Sequence, residues 1–217
     1  MKKVALIVAG GKGERMNSKI PKQFLLLNNM PILMHTIIQF SHFAEIIVVL
    51  PKEQFDYWKK LCKDIGFKKH CTLVEGGKTR FHSVRNGLEK VDEKSVVLIH
   101  DGVRPLISKT LIKRLITEKI NNIGVIPVIP IRSSVRKIEG KKSKYIDRSN
   151  LYQVQTPQCF MSADIKAAYK KGFSEIFTDD ASVFENFGGQ ITTIIGENRN
   201  LKITTKEDLK IAEIFMQ

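Results

Sequence analysis

The chain has 217 residues, of which 42% are hydrophobic and 27% are charged, and its formal net charge is +14. This length suffices for one sizeable core, and the composition excludes a disordered or fibrous chain. No apolar run approaches the ~20 residues that a membrane-spanning helix needs. We interpret the apolar N-terminus as a buried strand rather than a signal peptide, which predicts a cytoplasmic protein with no membrane partner.

The positive charge could indicate a nucleic-acid partner, because basic surfaces gather phosphate groups. The 36 Lys and Arg residues are, however, spread along the whole chain. Their one dense cluster, residues 136–144, contains none of the aromatic side chains on which bases stack. We therefore expect no nucleic-acid partner. The charge alone does not decide between solvated surface lysines and a polyanionic small substrate.

Short β-branched apolar runs alternate with segments of helical periodicity as far as residue 129. The runs predict buried strands at Val4–Ala9, Glu45–Leu50, Cys71–Val74, Ser95–Ile99 and Gly124–Ile129. The periodic segments predict helices at Ile32–Phe43, Glu53–Ile65, Thr79–Val91 and Lys109–Ile120. This alternation predicts an α/β fold with a mostly parallel twisted sheet flanked by helices, whose ligands bind at the carboxyl ends of the strands.

The alternation breaks after Ile129, and residues of about 131–155 predict a hairpin or arm that projects from the domain. Regular structure then resumes. It predicts helices at Ala163–Lys171 and Asp179–Phe187, a strand at Gln190–Ile195 and a last helix from about Lys206 to Met216, with Thr205 and Asp208 as its capping box. We find no internal repeat and no domain boundary, so we predict a single domain over residues 1–217.

A glycine-rich turn, Ala9-Gly10-Gly11-Lys12-Gly13-Glu14-Arg15-Met16, follows the first predicted strand. Glycines let backbone N–H groups approach phosphate oxygens without an intervening Cβ, and Arg15 and Lys22 add positive charge. The P-loop spacing is absent, and Met16 stands where the dinucleotide fingerprint has its third glycine. The turn therefore predicts a triphosphate site and disfavours a hydride-transferring dehydrogenase.

The fourth predicted strand ends in His100-Asp101-Gly102-Val103-Arg104-Pro105. Asp101 lies where ligands of such sheets bind, and its carboxylate could hold Mg²⁺ or a substrate hydroxyl. The alternative is that Asp101 only caps the next turn. We favour the functional interpretation because an acid and an arginine lie so close together at a strand end. His100 points to the opposite face and is predicted to be a core residue.

Further segments have sequences that suggest a functional role, although each could equally be explained by the geometry of its loop. They are Glu75–Arg80, Asp147–Ser149, Gln155–Gln158, Thr178–Ser182 and Asn200–Thr205. The acids within Thr178–Ser182 could be N-terminal helix caps only.

Together these segments resemble the 2-C-methyl-D-erythritol 4-phosphate cytidylyltransferase family of the non-mevalonate isoprenoid pathway, over essentially the whole chain. The matching motifs are the glycine-rich turn with Pro21-Lys22-Gln23, His100-Asp101 with Arg104-Pro105, Thr156-Pro157-Gln158, Thr178–Ser182 and Asn200–Thr204. The resemblance implies a Rossmann-like fold and a homodimer with swapped β-arms. It also implies an enzyme that transfers CMP from CTP to 2-C-methyl-D-erythritol 4-phosphate, with Mg²⁺ bridging the triphosphate and pyrophosphate as the second product.

The resemblance also implies a role for individual residues. The nucleotide would be bound by Ala9, Gly10, Gly11 and Gly13 at the phosphates, by Gly77, Lys78 and Ser83 at the cytosine and ribose, and by Asp101 and Gly102. The catalytic cations would be Arg15, Lys22 and Lys202. The acceptor would be held by Asp101, Arg104, Thr156 and Thr178, and by Ser134 and Arg148 of the partner's arm, and Asp101 would be the metal ligand. The family often has Asp at the position of Lys78 and Thr at the position of Ser134.

Two other functions stay open. Ribitol-5-phosphate cytidylyltransferases share the glycine-rich turn, Thr156-Pro157-Gln158 and Asn200–Thr205, whereas Thr178–Ser182 favours the methylerythritol substrate. A basic nucleic-acid-binding domain is the more distant alternative.

Overall fold

The computed structural model describes residues 1–11, 20–118 and 123–217. Its strands are β1 (Lys2–Val8), β2 (Leu26–Leu27), β3 (Met30–Pro31), β4 (Glu45–Leu50), β5 (Thr72–Glu75), β6 (Ser95–Asp101), β7 (Ile123–Pro130), β8 (Val135–Glu139), β9 (Lys142–Ile146), β10 (Tyr152–Val154), β11 (Gln158–Met161) and β12 (Gln190–Ile195). Its helices are α1 (Ile32–Phe40), α2 (Phe55–Ile65), α3 (Arg80–Leu88), α4 (Lys109–Thr117), α5 (Ser162–Lys170), α6 (Asp180–Asn186) and α7 (Lys206–Phe215). The predicted α/β architecture is confirmed.

One half of the central sheet is parallel, with β5, β4, β1 and β6 side by side. The register places Val8 of β1 between Val49 of β4 and Asp101 of β6. The three strands therefore end at the same edge of the sheet. Helices cover both faces of these strands, which explains why their sequences are continuous apolar runs.

The other half of the sheet is mixed. Strand β11 lies antiparallel between β6 and β7, β10 pairs antiparallel with β7, and β12 runs parallel to β7. Neither β10 nor β11 is predicted from the sequence, because Tyr152–Val154 lies within the segment interpreted as the arm and Gln158–Met161 follows that segment directly. The sheet is thus mostly parallel, as predicted, with antiparallel strands where the chain returns from the arm.

Two apolar layers form the core, one on each face of the sheet. On β1, Ala5 and Ile7 pack into the layer that contains α1, α2 and α4, whereas Val4 and Leu6 pack into the layer that contains α3, α5 and α6. Helix α3 lies especially close to the sheet, because a Cβ at Gly87 would come within 2.3 Å of Leu6 Cδ1. This close contact lies near the end of α3, whose first residue, Arg80, borders the site described below.

The predicted arm contains the antiparallel hairpin of β8 and β9, which forms a small sheet of its own. Its side chains are mostly exposed, including the apolar Ile138 and Tyr145 at 64% and 60% exposure. The last part of the predicted segment, Tyr152–Val154, belongs instead to the central sheet as β10. The projecting element is therefore shorter than the segment 131–155.

The last helix, α7, begins with the predicted capping box. The hydroxyl of Thr205 accepts a hydrogen bond from the N–H of Asp208, and the Asp208 carboxylate accepts one from the N–H of Thr205. These bonds satisfy N–H groups that a helix start leaves without partners.

Among the described helices, none combines the length and the apolar character that crossing a membrane requires.

Candidate active site

A cavity of about 820 Å³ opens at the carboxyl ends of the parallel strands. Segments that follow β1, β4 and β5 line it, together with Asp101 at the end of β6. This is the edge where α/β sheets bind their ligands. The predicted site residues that line it are Ala9, Gly10, Gly11, Lys22, Gly77, Lys78, Ser83, Asp101 and Lys202. Their common location fits the sequence-based prediction that a glycine turn and separate cations share one pocket.

Several other predicted residues lie elsewhere. Gly102, Arg104, Thr156 and Thr178 do not line the cavity wall, and neither do Ser134 and Arg148 of the arm. Ser134 and Arg148 are exposed, and the guanidinium of Arg148 donates to the carbonyl oxygen of Arg132. The predictions for Gly13 and Arg15 lie outside the described residues.

The loop between β5 and α3 is held by Ser83. Its hydroxyl accepts a hydrogen bond from the N–H of Gly77 at 3.1 Å and donates one to the carbonyl oxygen of Thr79 at 3.0 Å. A Cβ at Gly77 would lie 2.4 Å from His82 Cβ, so the loop can pass this close to α3 only with glycine there. Ser83 is 2% exposed, and this geometry gives it a role in shaping the predicted nucleotide loop.

Asp101 lies at the centre of a cluster of cations. Its Oδ2 is 3.0 Å from Arg104 Nε and 3.2 Å from Lys202 Nζ, and its Oδ1 is 3.8 Å from Arg80 Nε. Burial by itself would raise the pKa of Asp101, but the charges of Arg80, Lys202 and Arg104 outweigh burial and hold the pKa well below its usual value. Asp101 is therefore a carboxylate throughout the physiological range.

Arg80 is a cavity residue that the sequence analysis did not single out by itself. Its two terminal nitrogens donate to both carboxylate oxygens of Asp180, at 2.8 and 2.7 Å. The fully buried Asp180 also accepts a hydrogen bond of 2.6 Å from the hydroxyl of Tyr169. Burial disfavours the charged form of Arg80, but the neighbouring carboxylates outweigh this effect and raise its pKa. Arg80 thus links Asp101 to the start of α6.

The acids at the start of α6 have different roles. Asp179 caps the helix, because its carboxylate accepts from the N–H of Ser182 at 2.9 Å and the Ser182 hydroxyl accepts from the N–H of Asp179. Asp180 instead forms the buried ion pair with Arg80. From the sequence, both Asp179 and Asp180 could serve only as helix caps. In the structure this role belongs to Asp179 alone. The sequence feature that points to a further role for Asp180 is its place within the family motif Thr178–Ser182.

His100 is buried, as predicted, and its ring also orients Thr156. Its Nε2 lies 3.1 Å from the carbonyl oxygen of Arg104, which can only accept, so Nε2 carries the proton. The bare Nδ1 then accepts from the Thr156 hydroxyl at 2.9 Å. The same hydroxyl oxygen accepts from the N–H of Asp101 at 3.1 Å. His100 and Thr156 together therefore fix the backbone at Asp101.

We expect protonation of His100 to destabilise the fold. Burial lowers the pKa of His100 from 6.5 to about 4. Between these values the unfolded chain binds the proton and the folded chain does not, so the free energy of unfolding decreases as pH falls through this window. From about pH 7 to about pH 5, this group should contribute a loss of roughly 2 kcal/mol.

Urea unfolding at both pH values would measure this loss. The variant His100→Asn keeps a donor and an acceptor but does not titrate, so its stability should depend less on pH by that amount. An equal pH dependence in wild type and variant would contradict the assignment.

Comparison with known proteins shows to which family the chain belongs. The model of the 2-C-methyl-D-erythritol 4-phosphate cytidylyltransferase family matches residues 3–217. The chain is 46% identical to the cytidylyltransferase of this name from Bacteroides fragilis, with 100% of each chain covered. It is also 46% identical to that of Azobacteroides pseudotrichonymphae, with 99% of this chain and 98% of the relative covered.

Solved structures agree with the sequence comparisons. The 2-C-methyl-D-erythritol 4-phosphate cytidylyltransferase of Francisella tularensis superposes with a TM-score of 0.82 at 29% identity, covering 99% of each chain. That of Thermus thermophilus gives a TM-score of 0.81 at 29% identity, covering 99% of this chain and 98% of the other. The predicted Rossmann-like fold is thereby confirmed. By sequence and by structure over its whole length, the chain belongs to the 2-C-methyl-D-erythritol 4-phosphate cytidylyltransferase family.

Proposed function

We propose that the chain transfers CMP from CTP to 2-C-methyl-D-erythritol 4-phosphate, giving CDP-methylerythritol and pyrophosphate. The observation that carries this proposal is the cation cluster around Asp101 at the wall of the cavity. Arg80, Arg104 and Lys202 supply three positive charges, and Asp101 and Asp180 supply two negative charges, which leaves a net charge of +1. Lys22 lines the same cavity and adds a further positive charge, which suits a polyanionic substrate.

The proposed reaction is an in-line displacement at phosphorus. A phosphate oxygen of the acceptor attacks the α-phosphorus of CTP, the bond to the bridging oxygen breaks, and pyrophosphate leaves. The nucleophile is already an anion, so the step needs no strong general base. Its barrier comes from bringing anions together and from the charge that spreads over the α-phosphoryl oxygens in the transition state.

Cations that are fixed before the reaction stabilise this charge without reorganising during the step. Lys202 is held within 3.2 Å of Asp101, and we assign Lys202 and Lys22 to the reacting phosphates, together with Arg15. In the glycine turn, Gly10 and Gly11 would offer backbone N–H groups to the triphosphate, whereas the N–H of Ala9 donates to the carbonyl oxygen of Val49 at 2.9 Å. Asp101 keeps the surrounding cations at one place although they repel one another.

The residues present fit Mg²⁺ as an ion carried mainly by the triphosphate. No group of three or more His, Cys, Asp or Glu side chains suited to a metal occurs in the described ranges. Mg²⁺ often uses one carboxylate together with substrate phosphates. Of the two Asp101 oxygens, Oδ1 is the less engaged, because Arg80 Nε is 3.8 Å from it, whereas Arg104 and Lys202 lie 3.0 and 3.2 Å from Oδ2. When bound, Mg²⁺ would neutralise part of the phosphate charge.

We further propose that the arm completes the acceptor site of a second copy of the chain in a homodimer. Arg148 and Ser134 do not line the cavity of their own chain, and both are exposed. The hairpin also exposes Ile138 and Tyr145, apolar side chains that a partner could cover. Arg148 would then hold the acceptor phosphate, whose oxygen is the nucleophile, from the partner's chain.

The identity of the acceptor is tested by measuring pyrophosphate release from CTP in the presence of either 2-C-methyl-D-erythritol 4-phosphate or ribitol 5-phosphate. We expect turnover with the first acceptor and a much lower kcat/KM with the second. Preference for ribitol 5-phosphate would overturn the proposed acceptor but keep the cytidylyltransferase chemistry. Oligonucleotide binding with a steep salt dependence, without pyrophosphate release, would favour a nucleic-acid-binding domain instead.

Removing a catalytic cation should reduce turnover. Lys22→Ala and Lys202→Ala should each lower kcat by roughly 10²–10³, as the loss of one transition-state donor does in other enzymes. Lys69→Ala is a matched control, because Lys69 is exposed and precedes β5 at the opposite end of that strand. A kcat for Lys202→Ala close to that of the control would contradict the assignment.

The arm proposal predicts that two damaged chains complement each other. Arg148→Ala alone should mainly raise the acceptor KM, because Arg148 would hold the acceptor's own phosphate, whereas Lys22 and Lys202 are assigned to the charge that develops at the α-phosphorus. Mixed with Lys202→Ala, random heterodimers should contain one site with both intact residues, which restores up to about a quarter of the wild-type sites at subsaturating acceptor. If Arg148 acted within its own chain, mixing would restore nothing.

A further inference from the structure

Two motif residues with no role in the proposed chemistry, Gln155 and Asn200, are bonded to each other in the structure. Gln155 directly follows β10, and Asn200 lies in the segment between β12 and α7. Both side chains are amides and both are buried, with 4% exposure for Gln155 and 0% for Asn200. Buried amides cost free energy unless they form hydrogen bonds, so their partners indicate what they hold in place.

The side chain of Gln155 binds the segment 196–200 through both ends of its amide. Its Nε2 donates to the carbonyl oxygens of Glu197 at 2.8 Å and Asn200 at 3.3 Å. Its Oε1 accepts from the N–H of Glu197 at 3.1 Å and from Asn200 Nδ2 at 3.5 Å. A Cβ at Gly196 would come within 2.4 Å of Gln155 Oε1, so the amide lies directly against this backbone.

Asn200 links the same segment to Thr156 and to Arg104, which follows β6. Its Nδ2 donates to the carbonyl oxygen of Thr156 at 2.8 Å. Its own carbonyl oxygen accepts from Arg104 Nη1 at 2.8 Å, and Arg104 also donates to Asp101. The segment is therefore attached on one side to Gln155 and Thr156, and on the other to the end of β6.

Lys202 depends on these attachments because its own segment has no regular structure. Residues 200–204 belong to neither a helix nor a strand. One residue beyond Lys202, the N–H of Ile203 donates to the carbonyl oxygen of Val103 at 2.9 Å. The backbone on both sides of Lys202 is thus fixed by a few bonds, and Asn200 provides those on its N-terminal side.

We infer that Gln155 and Asn200 are positioning residues that hold the backbone of Lys202 so that its ammonium group stays beside Asp101 at the cavity. Neither amide lines the cavity, so they act through Lys202 rather than on a substrate. The inference rests on the proposed function in one respect, namely that Lys202 acts on the reacting phosphates. A mobile Lys202 would lose the fixed placement that makes a cation effective in the transition state.

The test is a double-mutant cycle with Gln155→Met and Lys202→Ala. Met has a similar volume and forms none of the amide bonds. In the wild-type background we expect Gln155→Met to lower kcat by roughly tenfold, with a smaller change in the KM for CTP. In the Lys202→Ala background the same change should lower kcat by less than about twofold, because the residue that it positions is already absent.

A control variant separates positioning from general loss of stability. Ser162→Ala removes both hydrogen bonds of a buried hydroxyl at the opposite end of β6. The Ser162 hydroxyl accepts from the N–H of Ser95 at 3.1 Å and donates to the carbonyl oxygen of Asp92 at 2.6 Å. The melting temperature of this variant should fall while its kcat stays at the wild-type value. Should Gln155→Met not fold, Gln155→Glu keeps the acceptor for Glu197 and loses the two donated bonds.

The outcomes distinguish the inference from the proposed function. If Lys202→Ala by itself left kcat unchanged, the proposed role of Lys202 would fail, and the inference with it. If Lys202→Ala lowered kcat but Gln155→Met lowered it equally in both backgrounds, only the positioning inference would be overturned. An unchanged kcat in Gln155→Met, with a melting temperature as low as that of Ser162→Ala, would also overturn it.

Discussion

The site depends on one buried carboxylate, Asp101, and the cations that it holds together. Like charges a few ångström apart near a protein surface repel each other by several kcal/mol, so Arg80, Arg104 and Lys202 could not stay side by side without a counterion. Asp101 supplies that counterion from the end of β6, the strand beside β1. Because it compensates only part of their charge, the cavity remains suited to anions.

Each cation reaches Asp101 from a different part of the chain, and each has a second attachment. Arg80 starts α3 and is paired with Asp180 at the start of α6. Arg104 follows β6 and also donates to the carbonyl oxygen of Asn200. Lys202 lies in a segment held by buried amides. An arrangement that is fixed before substrate binds is what electrostatic catalysis requires, since it avoids reorganisation during the reaction.

The uncharged groups around Asp101 also fix its position before substrate binds. His100 is on the opposite side of β6, where it is neutral and orients the Thr156 hydroxyl, and this hydroxyl accepts the N–H of Asp101. Thr156, predicted as an acceptor ligand, is thus also part of the framework that holds the carboxylate. Ser83 has a comparable place at the nucleotide loop. In both cases a predicted binding residue has a structural partner that the sequence does not reveal.

The sequence by itself determined the helices, the parallel strands and the edge of the sheet where the site lies. Parallel strands buried on both faces leave continuous apolar runs, and the glycine turn, Asp101 and Lys202 stand in motifs of recognisable spacing, because these signals are local. Only the tertiary structure decided that β11 runs antiparallel beside β6, that Arg80 pairs with Asp180, and that Gln155 meets Asn200. These contacts join residues as many as 100 positions apart, and short polar segments carry no periodicity from which such a pairing could be derived.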